Sequence, residues 1–266
     1  MSKSINSYLI VLLVSTFFNN VLAQESKFNW PNNKTMALSF TWDDSRKSQI
    51  ENGLPILNKY GIKATFYVVP RIVYDSLEGW KKAVADGHEI GNHSMNHPCS
   101  GNFLWARDMA LEEKEISDIR KEVLMANDTL KEMLNINATE FAYPCGQTFV
   151  GRGDNTKSYV PVIAQEFRSG RTWMDEAPND PSFCDLSQLT GMEMDGKDFK
   201  YILSLIEMAR KDGLWLILAG NEIGDKGLQT TEIKMLKKLF NYLSKQDHIW
   251  VTTVGQASKH ISDSRL

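Results

Sequence analysis

Three side chains set the chemistry open to this chain: Asp44, His93 and His97. Asp44 ends an apolar run, Met36-Ala-Leu-Ser-Phe-Thr-Trp42, and directly follows a second carboxylate, Asp43. His93 and His97 sit four apart in Gly91-Asn-His-Ser-Met-Asn-His97, a spacing that brings both imidazoles to one side of a turn. One carboxylate and two imidazoles suit a divalent cation and leave positions open for water and substrate. Zinc is the expected ion, and cobalt, nickel and manganese fit the same donors. Asp43 is then placed to take a proton from the water. The expected chemistry is metal-assisted hydrolysis rather than a structural zinc site, which four protein ligands usually close.

Such residues need a frame that brings distant segments together. Apolar, β-branched runs alternate with amphipathic stretches along the chain. Strands are predicted over 36–42, 64–69, 87–90, 140–143, 167–173, 214–219 and 249–252. Helices are predicted over 48–60, 77–85, 111–134, 199–211 and 231–244, with a closing helix after 252. This alternation implies a parallel sheet, and so many units in one domain favour closure into a barrel. In such barrels chemistry gathers at the C-terminal ends of the strands. Asp43 and Asp44 end the first strand, and His93 and His97 lie just past the third. Tyr143-Pro-Cys145 follows the fourth, and Asn221 follows the sixth.

The first 23 residues read as a signal peptide to be excluded from the fold. Lys3 starts it, Tyr8 to Phe18 is mostly apolar, and Val21-Leu22-Ala23 offers a cleavage site before Gln24. Residues 24–266 then form one domain, expected to be secreted or periplasmic, without stable membrane insertion once the leader is cleaved. Net charge is −3 with no basic stripe, which argues against nucleic acid or anionic membrane as partners. Cys99, Cys145 and Cys184 fit no zinc ribbon. Either one disulfide with one thiol or three thiols is compatible with the sequence. Asn92 opens an Asn-X-Ser sequon, but one too close to the metal set to be a comfortable glycan acceptor.

Taken together, these segments resemble the polysaccharide deacetylases of the NodB homology domain, carbohydrate esterase family 4, from about Thr35 to Ile261. The family's T-F-D-D motif is similar to Thr41-Trp42-Asp43-Asp44, with Trp for Phe. Its H-[ST]-x-x-H motif matches His93-Ser94-Met95-Asn96-His97 in full. The resemblance implies Asp43 as catalytic base, Asp44, His93 and His97 as metal ligands, and an α/β fold, a distorted (β/α)7 barrel. It also implies an acetylated polysaccharide or oligosaccharide as substrate, and a monomer is expected.

Other motifs match in part. R-x-P-x-G is met by Ala142-Tyr143-Pro144-Cys145-Gly146, so the N–H of Cys145 is the implied oxyanion donor while the base-steadying arginine is absent. Arg171, on the next strand, either substitutes for it or makes a plain surface ion pair. D-x-x-D-W has a loose counterpart in Asp195-Gly-Lys-Asp198-Phe199, where Asp198 also reads as a helix N-cap. Tyr143 and Trp173 are the expected sugar contacts. Trp105 is a further candidate, and core packing is the plainer alternative for both tryptophans. His88 reads as a buried, hydrogen-bonded residue.

The largest departure is Asn221, which stands where the family carries a catalytic histidine. An amide can orient a substrate atom but cannot exchange a proton near neutral pH. Glu222 would have to swing inward to replace it, and His248 and His260 have no motif around them. The reading is therefore a deacetylase of reduced activity. Its alternative is a metal-bearing carbohydrate-binding protein that has lost catalysis.

Overall fold

The computed structural model describes residues 28–265, so the leader reading lies outside the described residues. The main elements are β1 (Met36–Asp43), α1 (Leu54–Lys59), β2 (Thr65–Val68), α2 (Leu77–Ala85), β3 (Glu89–Asn92), α3 (Ile116–Leu134), β4 (Glu140–Ala142) and α4 (Val160–Glu166). They continue with β5 (Ser169–Arg171), β6 (Met192–Glu193), α5 (Phe199–Asp212), β7 (Trp215–Gly220), α6 (Ile233–Leu243), β8 (Ile249–Val251) and α7 (Val254–Ser264).

All eight residues of β1 are buried, which is why it reads as a continuous apolar run rather than an alternating one. Met36, Leu38, Phe40 and Trp42 face the helices in the main core. On the opposite face, Ala37 packs with Trp215, Ile217 and residues of α7, while Ser39, Thr41 and Asp43 are buried polar groups. The strands run parallel in the order β5-β4-β3-β2-β1-β7-β6, and β8 pairs with the start of β1. The sheet curls until Leu189, just ahead of β6, bridges Arg171 of β5. Thr172 N–H donates to Leu189 O at 2.8 Å, and Leu189 N–H donates to Gly170 O at 2.7 Å. The expected distorted barrel is present, closed by an irregular segment in place of a regular strand.

The opposite end is covered by α7, capped by Thr253. Gly255 N–H donates to Glu89 at the base of β3, and Arg168 pairs with buried Glu140 at the base of β4. Element boundaries differ in one instructive place. The helix predicted from Leu111 begins at Ile116, where Glu115 and Asp118 form a reciprocal capping box. Leu111 instead joins the second core, with Phe141, Tyr143 and Ile163, and its N–H donates to Cys99 O.

Candidate metal and hydrolase site

β1 ends at Asp43, and the chain turns sharply there: Asp44 and Ser45 both adopt positive φ, 74° and 55°. Ser45 holds the turn against β2, since its hydroxyl accepts from Val69 N–H at 2.8 Å. Beyond β3 the chain turns again, with positive φ at Ser94 and His97. Asn92 Oδ1 accepts from Ser94 N–H at 2.7 Å, and Ser94 Oγ accepts from His97 N–H at 2.9 Å. Glu122 of α3 braces Asn96 through both its backbone and its side chain. Asn92 is itself buried and bonded to Val123 O and Asn127, which suits a structural asparagine and not a glycan acceptor.

These turns bring the predicted metal set together. His93 Nε2 lies 3.4 Å and His97 Nε2 3.2 Å from Asp44 Oδ1. One donor atom from each of the three residues falls within 4.8 Å of the others. His93 Nδ1 lies 2.8 Å from Ala142 O, a carbonyl that only accepts, so the proton sits on Nδ1 and Nε2 is left free to bind a cation. The donor set and the tautomer both fit a divalent ion. The carboxylates and imidazoles also shift one another. Burial alone would raise Asp44 and lower His93, yet the imidazoles hold Asp44 well below the usual carboxylate range. Asp43 and Asp44 in turn lift His93 above the usual imidazole value. Burial wins at His97, which is lowered.

Asp43 is 4% exposed and lies against Arg171, whose Nη2 donates to both carboxylate oxygens. Arg171 is itself 1% exposed, so the surface ion pair is corrected: this is a buried pair reaching across from β5. Its guanidinium lies 5.0 Å from the Tyr67 ring and 5.5 Å from Trp173. A Cβ at Gly191 would come within 2.9 Å of Arg171 Cδ and Nη1, so that glycine makes room for the arginine. The guanidinium missing at Ala142 is thus supplied from another strand.

Cys145 lines the same pocket after Pro144, with φ 55°, and Gly146 follows at φ 67°. The turn's own bonds come from Gly146 N–H to Tyr143 O and Gln147 N–H to Pro144 O. Cys145 is joined to Cys99 by a disulfide, and Cys184 is a free thiol, which resolves the cysteine alternatives.

Asn221 is 5% exposed and lines the pocket on the β7 side. Its Nδ2 donates to Asp44 Oδ2 at 2.8 Å, which fixes the amide orientation because a carboxylate only accepts. Oδ1 is left buried without a partner. Behind it stands Asp195, pushed up to about 7 by burial, accepting from Asn221 N–H and from Thr231 Oγ1. Asp198 is a helix N-cap only, with Oδ1 accepting from Tyr201 N–H at 2.8 Å. The residue of this segment that reaches the site is therefore Asp195.

Among the sugar contacts, Trp173 and the 61% exposed Trp105 line the pocket, so neither is core packing. Tyr143 forms part of the same wall but is 2% exposed, and its hydroxyl donates to Ser187 O at 2.6 Å. That corrects it to a packing residue without a free hydroxyl for sugar. His88 is buried as expected, lowered to about 4 by burial, with Nδ1 accepting from Ala64 N–H. Sequence reasoning missed two brackets of the site. Gln49 Nε2 ties Asp43 O at 2.5 Å to Asn221 O at 2.8 Å, and Arg46 holds Asp44 Oδ2 at 3.0 Å. No local signal marks Gln49, whose partners lie 6 and 172 residues away.

The chain is similar to known proteins both in sequence and in fold. A family model described as polysaccharide deacetylase matches residues 31–159. A peptidoglycan-N-acetylmuramic acid deacetylase of Bacillus subtilis is 32% identical over 85 residues, covering 30% of this chain and 31% of the relative. A peptidoglycan-N-acetylglucosamine deacetylase of Listeria monocytogenes is 37% identical over 67 residues, 25% of this chain and 14% of that protein. The chain therefore spans well under half the length of these curated relatives. In fold, it is similar to a CE4 domain of a multidomain xylanase from the hindgut metagenome of Trinervitermes trinervoides. That likeness has a TM-score of 0.55 at 18% identity, over 87% of this chain and 92% of that one. A PuuE allantoinase is similar in fold as well, with TM-score 0.64 at 14% identity over 87% and 91% of the two chains. The matched segment, just under half of the chain, carries both the Asp-Asp and the His-X-X-X-His segments, and the fold continues through the rest: in sequence this segment is similar to polysaccharide deacetylases, and the whole described chain shares their fold.

Proposed function

We propose that the protein is a metal-dependent hydrolase that removes acetyl groups from a polysaccharide or oligosaccharide, with its proton-donating side weakened. The observation that carries this reading is the buried Asp43–Arg171 pair standing next to the Asp44–His93–His97 set. The curated relatives act on acetylated amino sugars by name, and the exposed Trp105 and Trp173 beside the pocket suit the face of a pyranose ring. Export through the leader, and zinc as the ion, are parts of the same proposal.

Asp44, His93 and His97 would hold the cation, which when bound supplies an acidified water and polarises the acetyl carbonyl. Asp43 accepts the proton of the attacking water, and Arg171, bonded to both of its oxygens, keeps that carboxylate aimed. The N–H of Cys145 donates to the carbonyl oxygen as negative charge grows there. Collapse releases acetate and leaves an amine or an alcohol that needs a proton. Asn221 cannot provide one, because its amide donates to Asp44 and does not titrate. A leaving amine needs that proton more than a leaving alcohol, so ester substrates are the less handicapped.

The test is acetate release by the wild type and by Asn221→His on one acetyl ester and one N-acetyl amide. Recovery of a general acid is expected to raise amide turnover at least about 10-fold, toward the roughly 10² to 10⁴ that such groups contribute, and ester turnover less. Equal changes on both substrates would count against the assignment of Asn221. That same residue also favours a second reading, a carbohydrate-binding protein without turnover. Sugar binding with no acetate release from the wild type would select it.

A further inference from the structure

The Cys99–Cys145 disulfide joins two loops with different duties, and Cys99 Sγ also lies 3.6 Å from His97 Nδ1. His97 is two residues before Cys99 and belongs to the metal set, whereas Cys145 lines the pocket, where the proposed function gives its N–H the oxyanion. The metal loop has braces of its own: Asn92 and Ser94 hold its turn, Glu122 holds Asn96, and His93 rests on Ala142 O. Cys145 is less secure. It is a non-glycine residue at φ 55°, a left-handed conformation that side chains rarely adopt and that persists only where surroundings enforce it. Beyond its own turn, the brace nearest to it is Gln147. That residue accepts from Ser100 N–H at 2.7 Å and from the Tyr159 hydroxyl at 2.5 Å. Ser100 is in turn fixed by Glu112, so Cys99 sits on a firm base while Cys145 hangs from it.

We propose that Cys99 is a positioning residue, acting through its bond to Cys145 to hold the oxyanion N–H in register with the metal set. Turnover is then sensitive to loss of the bridge, while the braces of the metal loop keep the metal set in place. The inference rests on the hydrolase reading for its kinetic consequence alone. In the reductive step a dithiol gives two electrons and two protons. The Sγ–Sγ bond breaks into two thiols, and the dithiol closes into its own disulfide. Because Cys145 contributes a backbone group, Cys99→Ala/Cys145→Ala removes the bridge without removing the donor.

Hydrogen–deuterium exchange of the folded protein, before and after dithiol, reads the positioning directly. Exchange over 143–149 is expected to rise at least about 10-fold while 93–97 stays within about twofold, and the zinc affinity of Cys99→Ala/Cys145→Ala, which has no thiols to offer beside His97, stays within about twofold of the wild type by calorimetry. On the substrate from which the wild type releases acetate, kcat is expected to fall about 10-fold with KM little changed. The double variant should start at the reduced value and ignore dithiol. Unchanged protection over 143–149, or equal loosening of both segments with loss of zinc, overturns the proposal. A wild type that releases no acetate from any substrate sinks the hydrolase reading instead, and the exchange result still decides the role of the bridge.

Discussion

Asp43 and Asp195 are both buried near the C-terminal ends of the strands, yet they are held in opposite ways. Asp43 faces a guanidinium: Arg171 crosses the barrel to bond both its oxygens. Asp195 receives only neutral donors, the N–H of Asn221 and the hydroxyl of Thr231, and forms no ion pair among the described residues. Burial therefore lifts Asp195 to about 7, with Glu193 and Asp43 adding to the rise. The contrast separates the two walls of the site. The wall with Asp43, Asp44 and the two histidines is complete in charge. The β7 wall keeps a carboxylate that meets only the backbone N–H of Asn221 and a hydroxyl, while the Asn221 side-chain amide donates to Asp44.

The comparison is broken most directly on the complete wall. Asp43→Asn keeps the shape but removes the base. Acetate release is expected to fall about 10² to 10⁴-fold while zinc affinity, measured separately, changes little. Retained turnover would move the base elsewhere and undo the distinction between the walls.

Arg171→Met tests the pairing itself. Removing one partner of a buried ion pair strands the other charge and costs about 3–5 kcal/mol, measurable by urea unfolding. The double variant Asp43→Asn/Arg171→Met is expected to recover a good part of that loss, since the two positions are coupled. A cost near the ~0–1 kcal/mol of exposed pairs would mean the guanidinium is hydrated and free.

The metal set was legible because its signals are local: a strand end for Asp44 and a four-residue step for His93 and His97. The barrel was legible from alternation, and most strands fall within two or three residues of their predicted places. What escaped prediction depends on distant pairings. Arg171 meets Asp43 across 128 residues, and on sequence alone an arginine on a short strand is as good a surface group as a buried one. Nothing local says that Cys99 pairs with Cys145 and not Cys184. The segment before β6 has no periodicity, so its role in closing the barrel at Leu189 was unreadable. Asp195 was hidden by Asp198, whose capping signal is strong and correct but belongs to a helix and not to the site.

The Asp195 side of the comparison makes its own prediction about pH. A carboxyl raised from 3.8 to about 7 on folding binds its proton more tightly in the folded chain than in the unfolded one. Its contribution is therefore fully present below pH ~4 and is lost as pH rises toward ~7. Asp195→Asn keeps an acceptor for Asn221 N–H and gives Thr231 a donor, so it should flatten the decline between pH 5 and pH 8. At pH 8 it should be more stable than the wild type by on the order of 3 kcal/mol. Urea unfolding at pH 5 and pH 8 checks the slope. A wild type that stays level or gains stability across that range, or a variant with the same slope, would show that Asp195 is already charged. In that case the two walls do not differ in the way their partners imply.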